Sequence, residues 1–116
     1  MGLDMFAWSV AQEDVIDDFT ITKKDDSYPE VCYWRKHHSL HKWMEALYRE
    51  RGGEAETFNC IPLRLRSEDL QRLKKDITAQ IVSRDDPDDA ERDLLFVKEA
   101  QILIAEGRAI YYDSWW

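Results

Sequence analysis

The sequence has few of the residues that interrupt or cross-link a fold. Its 116 residues include four glycines, three prolines and two cysteines. So little glycine and proline excludes a collagen-like or low-complexity chain, and two cysteines cannot form a disulfide framework. No apolar run approaches the roughly 18 residues that cross a bilayer, and the first residues lack the pattern of a secretory signal. We therefore expect a cytoplasmic protein, in a reducing compartment and without membrane contact.

The composition that remains is that of a globular chain. Hydrophobic residues make up 44% and charged residues 34%, which predicts a single domain over residues 1–116 with its own core. The net charge is −8 at pH 7. Because general affinity for nucleic acid depends on clustered lysine and arginine, this charge argues against nucleic acid as a partner.

The charges are unevenly distributed along the chain. Acidic residues dominate Glu13–Asp18 and Arg84–Asp93, whereas basic residues dominate Tyr33–Arg51 and Arg64–Lys75. Such segments form either the solvated faces of an ordinary domain or a bipolar surface that meets a charged partner in a fixed orientation. Both interpretations remain open at the level of sequence.

Three segments have the composition of β-strands. Leu3–Val10 is apolar on both alternating faces, which predicts a strand in the interior of a sheet. Phe58–Leu65 reads as a strand at an edge or with a bulge, because Pro62 cannot donate a ladder hydrogen bond. Arg108–Trp116 is β-branched and aromatic and predicts the last strand.

The segment Glu30–Arg51 predicts the first helix. Spacings of four and three residues place Tyr33, His37, Leu40, Met44 and Leu47 on one face. Trp34 flanks this stripe, which places Trp43, about 180° away, on the outward side. Gly52 and Gly53 end the helix, since glycine adopts a left-handed cap without penalty.

Two further helices follow. Ser67 is expected to cap the second, whose buried stripe comprises Leu70, Leu73, Ile77 and Ile81. The third opens within Asp85–Asp89, where Pro87 suits the first turn, and runs to Gly107. Its broad apolar face predicts the most buried helix of the protein.

The order of elements defines the fold class. Ala11–Pro29 has no sustained period and is read as a surface loop with a short strand at Phe19–Thr22. We expect an α+β fold in which three helices cover a small mixed or antiparallel sheet of three or four strands, the first and last strands being interior. The predicted common core comprises Trp34, Leu40, Met44, Leu47, Leu70, Leu73, Ile77, Leu94, Val97 and Ile104.

Four segments carry a resemblance to a known family: Leu3-Asp4-Met5, Tyr33-Trp34-Arg35-Lys36 with His41 and Trp43, Asn59-Cys60 through Leu70 and Leu73, and Tyr111–Trp115. In these segments the chain resembles a family of small uncharacterised proteins of bacteriophages and bacteria, which implies a phage or mobile-element origin and no particular mechanism. Some relatives carry a phosphoglycerate-kinase label, but this sequence has no glycine-rich nucleotide loop. His37 and His38 depart from the family pattern, so the resemblance assigns them no role.

Three histidines form the only metal-like pattern of the sequence. His37 and His41 are four residues apart, and His38 and His41 are three apart, so one helix presents two imidazoles to one ion. On the buried stripe a histidine is more commonly a hydrogen-bonded core residue. The alternative function from this pattern is a small metal-dependent hydrolase. A third ligand would come from Cys32, Cys60 or Asp4.

No catalytic residue stands out, and the sequence predicts no cofactor. Cys32, expected near a helix N-terminus where the dipole favours a thiolate, is the better of two candidate nucleophiles. Hydrolase and phosphate-binding motifs are absent from the sequence. A free, unreactive thiol is the commoner outcome. We therefore expect a binding protein rather than an enzyme.

Two sets of residues are candidates for interaction. Arg35, Lys36 and Lys42 beside aromatic residues suit a nucleic-acid-binding module, whereas an outward Trp43 suits a protein interface. The acidic residues Asp85, Asp86, Asp88 and Asp89 could imitate phosphate towards a host protein. The favoured hypothesis is an acidic phage-type binder or inhibitor of a host protein, which includes action against a host defence system, with a homodimer as an open alternative.

Overall fold

The computed structural model describes residues 2–23, 27–83 and 86–116. Its main sheet has four antiparallel strands in the order β4-β1-β6-β5, and β2 and β3 form a separate pair. The predicted α+β class is confirmed, as is the interior position of the first and last strands. The strands are β1 (Asp4–Val10), β2 (Val15–Asp17), β3 (Thr20–Ile21), β4 (Glu30–Arg35), β5 (Leu63–Leu65) and β6 (Ala109–Trp115).

Three α-helices accompany the sheet: α1 (His38–Glu50), α2 (Ser67–Thr78) and α3 (Pro87–Ala105). Gly52 follows α1 with φ +91° and Gly107 follows α3 with φ +93°, a left-handed conformation that glycine adopts at little cost. In the described part of the chain, no helix has the length and apolar character needed to cross a membrane.

The two faces of the sheet are covered differently. On one face, residues such as Met5, Trp34 and Tyr112 pack with the buried sides of all three helices in the main core. On the other face, Trp8 and Tyr111 pack in a smaller cluster that β2 and β3 partly cover. The strand β1 contributes to both clusters, which is why its sequence is apolar on both alternating sides.

The predicted helix over Glu30–Arg51 is correct only in its second part. Residues Glu30–Arg35 form β4 and pair with β1, because a strand inside the sheet needs hydrogen-bonding partners on both sides. Trp34 faces the main core with no exposed surface, whereas Tyr33 lies on the opposite face, 42% exposed. Lys36, with φ +57°, separates the strand from α1. The stripe is therefore helical only from Leu40 onward.

Four smaller predictions are also corrected. Ser67 is the first residue of α2 and not its cap; its hydroxyl donates to Gln101 Oε1 (2.8 Å), while the Asp69 carboxylate accepts from the Arg66 backbone N–H (2.8 Å). Ile81 lies beyond α2 and is exposed. The strand predicted over Phe58–Leu65 is reduced to β5. The segment Ala11–Pro29 contains β3 within the short strand predicted at Phe19–Thr22, and in addition β2, which was not predicted.

The third helix is not the most buried. Its inner side brings Phe96, Val97 and Ala100 into the core, but Leu95 and Ile102 point outward and remain more than half exposed. Leu94, which the sequence places in the common core, is 36% exposed. The apolar residues of α3 encircle the helix, so a single sheet face cannot cover them all.

Candidate functional site: a cleft beside the first helix

A cleft of about 600 Å³ lies along the first two turns of α1. Its other walls come from the segment before β5, from the residue before β1 and from the residue after β6. The cleft therefore collects residues from four distant parts of the chain. The lining residues are Leu3, Lys36, His38, His41, Lys42, Glu45, Glu56, Thr57, Phe58 and Trp116.

Hydrogen bonds fix one wall of the cleft to the end of β6. The Trp116 backbone N–H donates to Asn59 Oδ1, the Asn59 side-chain amide donates to the Trp116 carbonyl (both 3.0 Å), and the Trp116 indole donates to the Phe58 carbonyl (3.2 Å). The Cys60 N–H donates to the Ser114 carbonyl at 2.8 Å. Because these bonds join segments far apart in sequence, the wall is held by tertiary structure alone.

The floor of the cleft is aromatic. Phe58 is almost fully buried and stacks on Tyr48 at 4.9 Å and on the His41 imidazole at 5.3 Å between ring centroids. The Trp116 ring stands nearly perpendicular to His41, at 6.2 Å and 83°. Perpendicular and stacked contacts are both favoured between rings. Because Phe58 is covered by its neighbours, a flat group entering the cleft meets the rings of His41 and Trp116.

His41 lies where α1 meets the sheet. Its Nδ1 is 2.7 Å from the Tyr112 hydroxyl. Burial is the main cause of a lowered His41 pKa; Glu45 opposes this shift and His38 adds to it. Burial also raises the pKa of Tyr112 well above its usual value, so its hydroxyl stays protonated. A neutral imidazole that accepts this hydrogen bond at Nδ1 carries its proton at Nε2 and can donate from there.

Two lysines and two glutamates line the cleft: Lys36, Lys42, Glu45 and Glu56. Glu45 pairs with Arg49 at 3.7 Å along α1. Within the described residues, no carboxylate forms an ion pair with Lys36 or Lys42. Glu56 is the remaining acid of the lining, and the Arg49 guanidinium also reaches its backbone carbonyl (3.5 Å). Of the four charged lining residues, Lys36, Lys42 and Glu56 are thus outside the described ion pairs, which leaves two lysines and one carboxylate.

His37 lies apart from the cleft, in a buried polar network. Its Nε2 contacts Asp93 Oδ2 at 2.6 Å and the Ser83 hydroxyl at 3.0 Å. Asp93 has no exposed surface and also accepts hydrogen bonds from the Ser83 hydroxyl and, at 2.7 Å, from the Trp34 indole. This network joins α3 to the junction of β4 and α1. It is the hydrogen-bonded core histidine that the sequence offered as the commoner alternative.

The three histidines therefore do not form one site. His38 and His41 line the cleft, whereas the imidazole of His37 is committed to Asp93. Within residues 2–23, 27–83 and 86–116, no three His, Cys, Asp or Glu side chains are grouped to hold a metal ion. The geometry thus gives no support to the metal-dependent hydrolase for which all three histidines were candidates.

The cysteines do not belong to the cleft either. Cys32 lies in the middle of β4 and not at a helix N-terminus, and burial raises its pKa to about 12, with the nearby Asp93 charge adding to the shift. Its thiol is protonated at neutral pH and is a poor nucleophile. Cys60 is exposed. The expected position of Cys32 near a helix N-terminus is wrong, whereas its half-buried free thiol fits the outcome that the sequence gave as the commoner one.

The basic and aromatic candidates are divided by the fold. Lys36 and Lys42 line the cleft, but Arg35 lies on β4 and pairs in register with Asp4 on the outer face of the sheet. Trp43 is half-buried and does not point outward, because its indole donates to Asp76 of α2 at 2.8 Å. The two lysines remain together as candidates, whereas Trp43 joins two helices.

The acidic candidates lie at the start of α3. Asp86 Oδ1 accepts from the Asp88 N–H (2.9 Å) and thereby caps the helix, and Asp89 approaches Arg92 at 3.7 Å. Asp85 lies outside the described residues. The three described acids are at least partly exposed, yet helix capping accounts for Asp86 without any partner.

Sequence reasoning missed half of the cleft. Glu56, Thr57 and Phe58 precede a short strand and have no motif that separates them from an ordinary loop. The one sequence feature that indicates this wall of the cleft is the aromatic pair Trp115-Trp116. Trp116 lines the cleft, whereas Trp115 is 66% exposed beside it on the outer face.

Comparisons of the chain with protein-family models, curated proteins and solved structures gave no match. The features that bear on function are therefore the cleft, its charges and the sequence pattern.

Proposed function

We propose that this chain is a non-enzymatic binding protein of phage or mobile-element type, which holds a segment of a host protein in the cleft and thereby inhibits it. The observation that carries the proposal is the cleft itself. Its volume of about 600 Å³ falls in the range of about 300–1,000 Å³ that is usual for pockets that hold small molecules and cofactors. An aromatic floor with a few convergent polar groups is the composition of such sites.

The chemistry of the cleft favours binding over catalysis. The Nδ1 atom of His41 is occupied by Tyr112, whose raised pKa keeps the phenol protonated. A general base paired with a nucleophile needs an activated hydroxyl or thiol within hydrogen-bond reach. Cys32, with its raised pKa, lies elsewhere on β4.

The family resemblance supports a host protein as the target. The most specific part of the resemblance is Tyr33–Lys36 followed by His41 and Trp43. This segment supplies Lys36 and His41 to the cleft. Small acidic proteins of phage type commonly act by binding a host protein, including proteins of host defence. The exposed acids Asp86 and Asp88 add a negative surface that could repel nucleic acid and steer a basic partner.

The test is affinity capture from a host lysate with and without nuclease, followed by mass spectrometry. The wild-type chain is expected to retain one stoichiometric host protein that survives nuclease treatment. Lys42→Glu should abolish retention because it reverses a charge of the cleft. Lys74→Glu is the matched control, since Lys74 is exposed on α2 outside the cleft.

Two results would contradict the proposal. One is equal retention by the wild type and Lys42→Glu, which would place the interface elsewhere. The other is salt-sensitive retention of single-stranded DNA or RNA with no protein partner, which would favour the nucleic-acid-binding alternative.

A further inference from the structure

The charged residues and aromatic rings of the cleft indicate the chemical class of its ligand. We infer that the cleft recognises an acidic residue adjacent to an aromatic residue in a peptide segment of the partner. This inference rests on the proposed function and specifies the part of the partner that enters the site.

The acidic half of the motif follows from the balance of charges. Lys36 and Lys42 line the cleft without a described carboxylate in ion-pair contact, whereas Glu45 is paired with Arg49. Glu56 can balance only one of the two lysines, so a carboxylate of the ligand would supply the remaining counter-charge. The Nε2–H of a neutral His41 offers a further donor beside the lysines.

The aromatic half follows from the floor. The rings of His41 and Trp116 stand nearly perpendicular to each other above the buried Phe58, and Trp116 is 40% exposed. A further flat ring can pack against either of these two rings with favourable geometry. Leu3 adds an apolar side chain to the same lining. An aromatic side chain therefore gains ring contacts in this corner that a branched aliphatic side chain cannot make.

A single carboxylate suits the site better than a phosphate backbone. Glu45 and Glu56 also line the cleft, so its two lysines are accompanied by two acids that would repel a run of phosphates. The net charge of −8 further opposes a polyanion, because nucleic-acid binding depends on neutralising several phosphates. The charge pattern thus selects an acidic peptide over an oligonucleotide.

The experiment uses the full chain and three fluorescein-labelled peptides of identical glycine and serine flanks with a central Asp-Phe, Asn-Phe or Asp-Ala. Fluorescence anisotropy is expected to show the tightest binding for Asp-Phe and about tenfold weaker binding for each of the other two, as expected for loss of one charge-assisted or one aromatic contact. Lys42→Glu should weaken Asp-Phe binding by about tenfold or more, and Lys74→Glu should leave it unchanged.

The outcomes separate this inference from the proposed function. Equal binding of the three peptides, or tighter binding of a fluorescein-labelled ten-nucleotide DNA strand, overturns the inference. If a host protein is captured through Lys42 while none of the peptides binds, the inference fails and the proposed function stands. If Asp-Phe binds selectively while no host protein is captured, the inference stands and the proposed host target fails.

Discussion

Trp34 and Asp93, 59 residues apart in sequence, meet inside the core, where the indole nitrogen donates to the carboxyl oxygen Oδ1 at 2.7 Å. The other oxygen of Asp93 accepts from Ser83 and contacts His37. A carboxyl group with no exposed surface is thereby satisfied by three side chains. These contacts tie α3 to β4 and to the start of α1, the helix that supplies four of the ten residues lining the cleft.

We predict that Asp93→Ala lowers the free energy of unfolding by about 3 kcal/mol or more, because it leaves buried donors without an acceptor. Trp34→Phe removes one of those donors and part of the packing, and should cost about 1–3 kcal/mol. Urea unfolding followed by circular dichroism measures both. Asp93→Ala within about 0.5 kcal/mol of the wild type would show that the network contributes little.

Gly53 is predicted to tolerate no side chain. A Cβ atom there would lie 2.3 Å from the Tyr48 ring, which Phe58 stacks against and whose hydroxyl accepts from the Ala55 N–H. Gly53→Ala should therefore cost about 1–3 kcal/mol of stability through overpacking. Gly52→Ala is the control: its Cβ would meet open space, so only its positive φ opposes the change, at about 1 kcal/mol. Thermal unfolding would contradict the prediction if Gly52→Ala were the more damaging.

The two thiols are predicted to react very differently. Burial raises the pKa of Cys32 to about 12, whereas Cys60 is exposed. Because the thiolate is the reactive form, Ellman's reagent at pH 8 should modify one thiol rapidly in the native chain and both in guanidinium chloride. Cys60→Ser should abolish the rapid phase and Cys32→Ser should leave it intact. Rapid reaction of the Cys60→Ser variant would disprove the burial of Cys32.

His41 is predicted to make the fold less stable at mildly acidic pH. Its pKa in the folded protein lies below the unfolded value of 6.5, chiefly because of burial. The unfolded chain therefore binds more protons between these two pKa values, and the free energy of unfolding falls as pH drops through that window. Below the folded pKa the effect levels off.

The test compares the wild type with His41→Asn, whose amide oxygen can replace Nδ1 as the acceptor for Tyr112. Urea unfolding between pH 7.5 and 5.5 should show a smaller loss of stability for the variant. His37 and His38 are present in both proteins, so the difference between the two curves isolates His41. Parallel curves would contradict the prediction.

The sequence predicted several elements because their signals are local. Leu3–Val10 is apolar on both sides, and it occupies the interior of the sheet between two clusters. Pro87 stands in the first turn of α3, and Gly52 and Gly107 follow α1 and α3. Caps and glycine stops depend on neighbouring residues only, so they can be read without the tertiary structure.

The site was predictable only in part. Lys36, His38, His41 and Lys42 were candidates from one short segment, and the structure brings these four to one cleft. The sequence could not distinguish these residues from His37. Helical spacing applies only within a helix, and His37 lies just before α1. The opposite wall comes from loop residues that no periodic pattern marks.

By itself, the sequence determined an acidic α+β chain, the interior character of its first and last strands, the C-terminal end of its first helix and both ends of its third helix. The tertiary structure decided that residues 30–35 form a strand, because β1 had unpaired hydrogen-bonding groups along one side that outweighed a helical spacing. It also decided that His37 turns towards Asp93 while His38 and His41 face the cleft. Both outcomes depend on partners more than 20 residues away, whose proximity exists only once the sheet has formed.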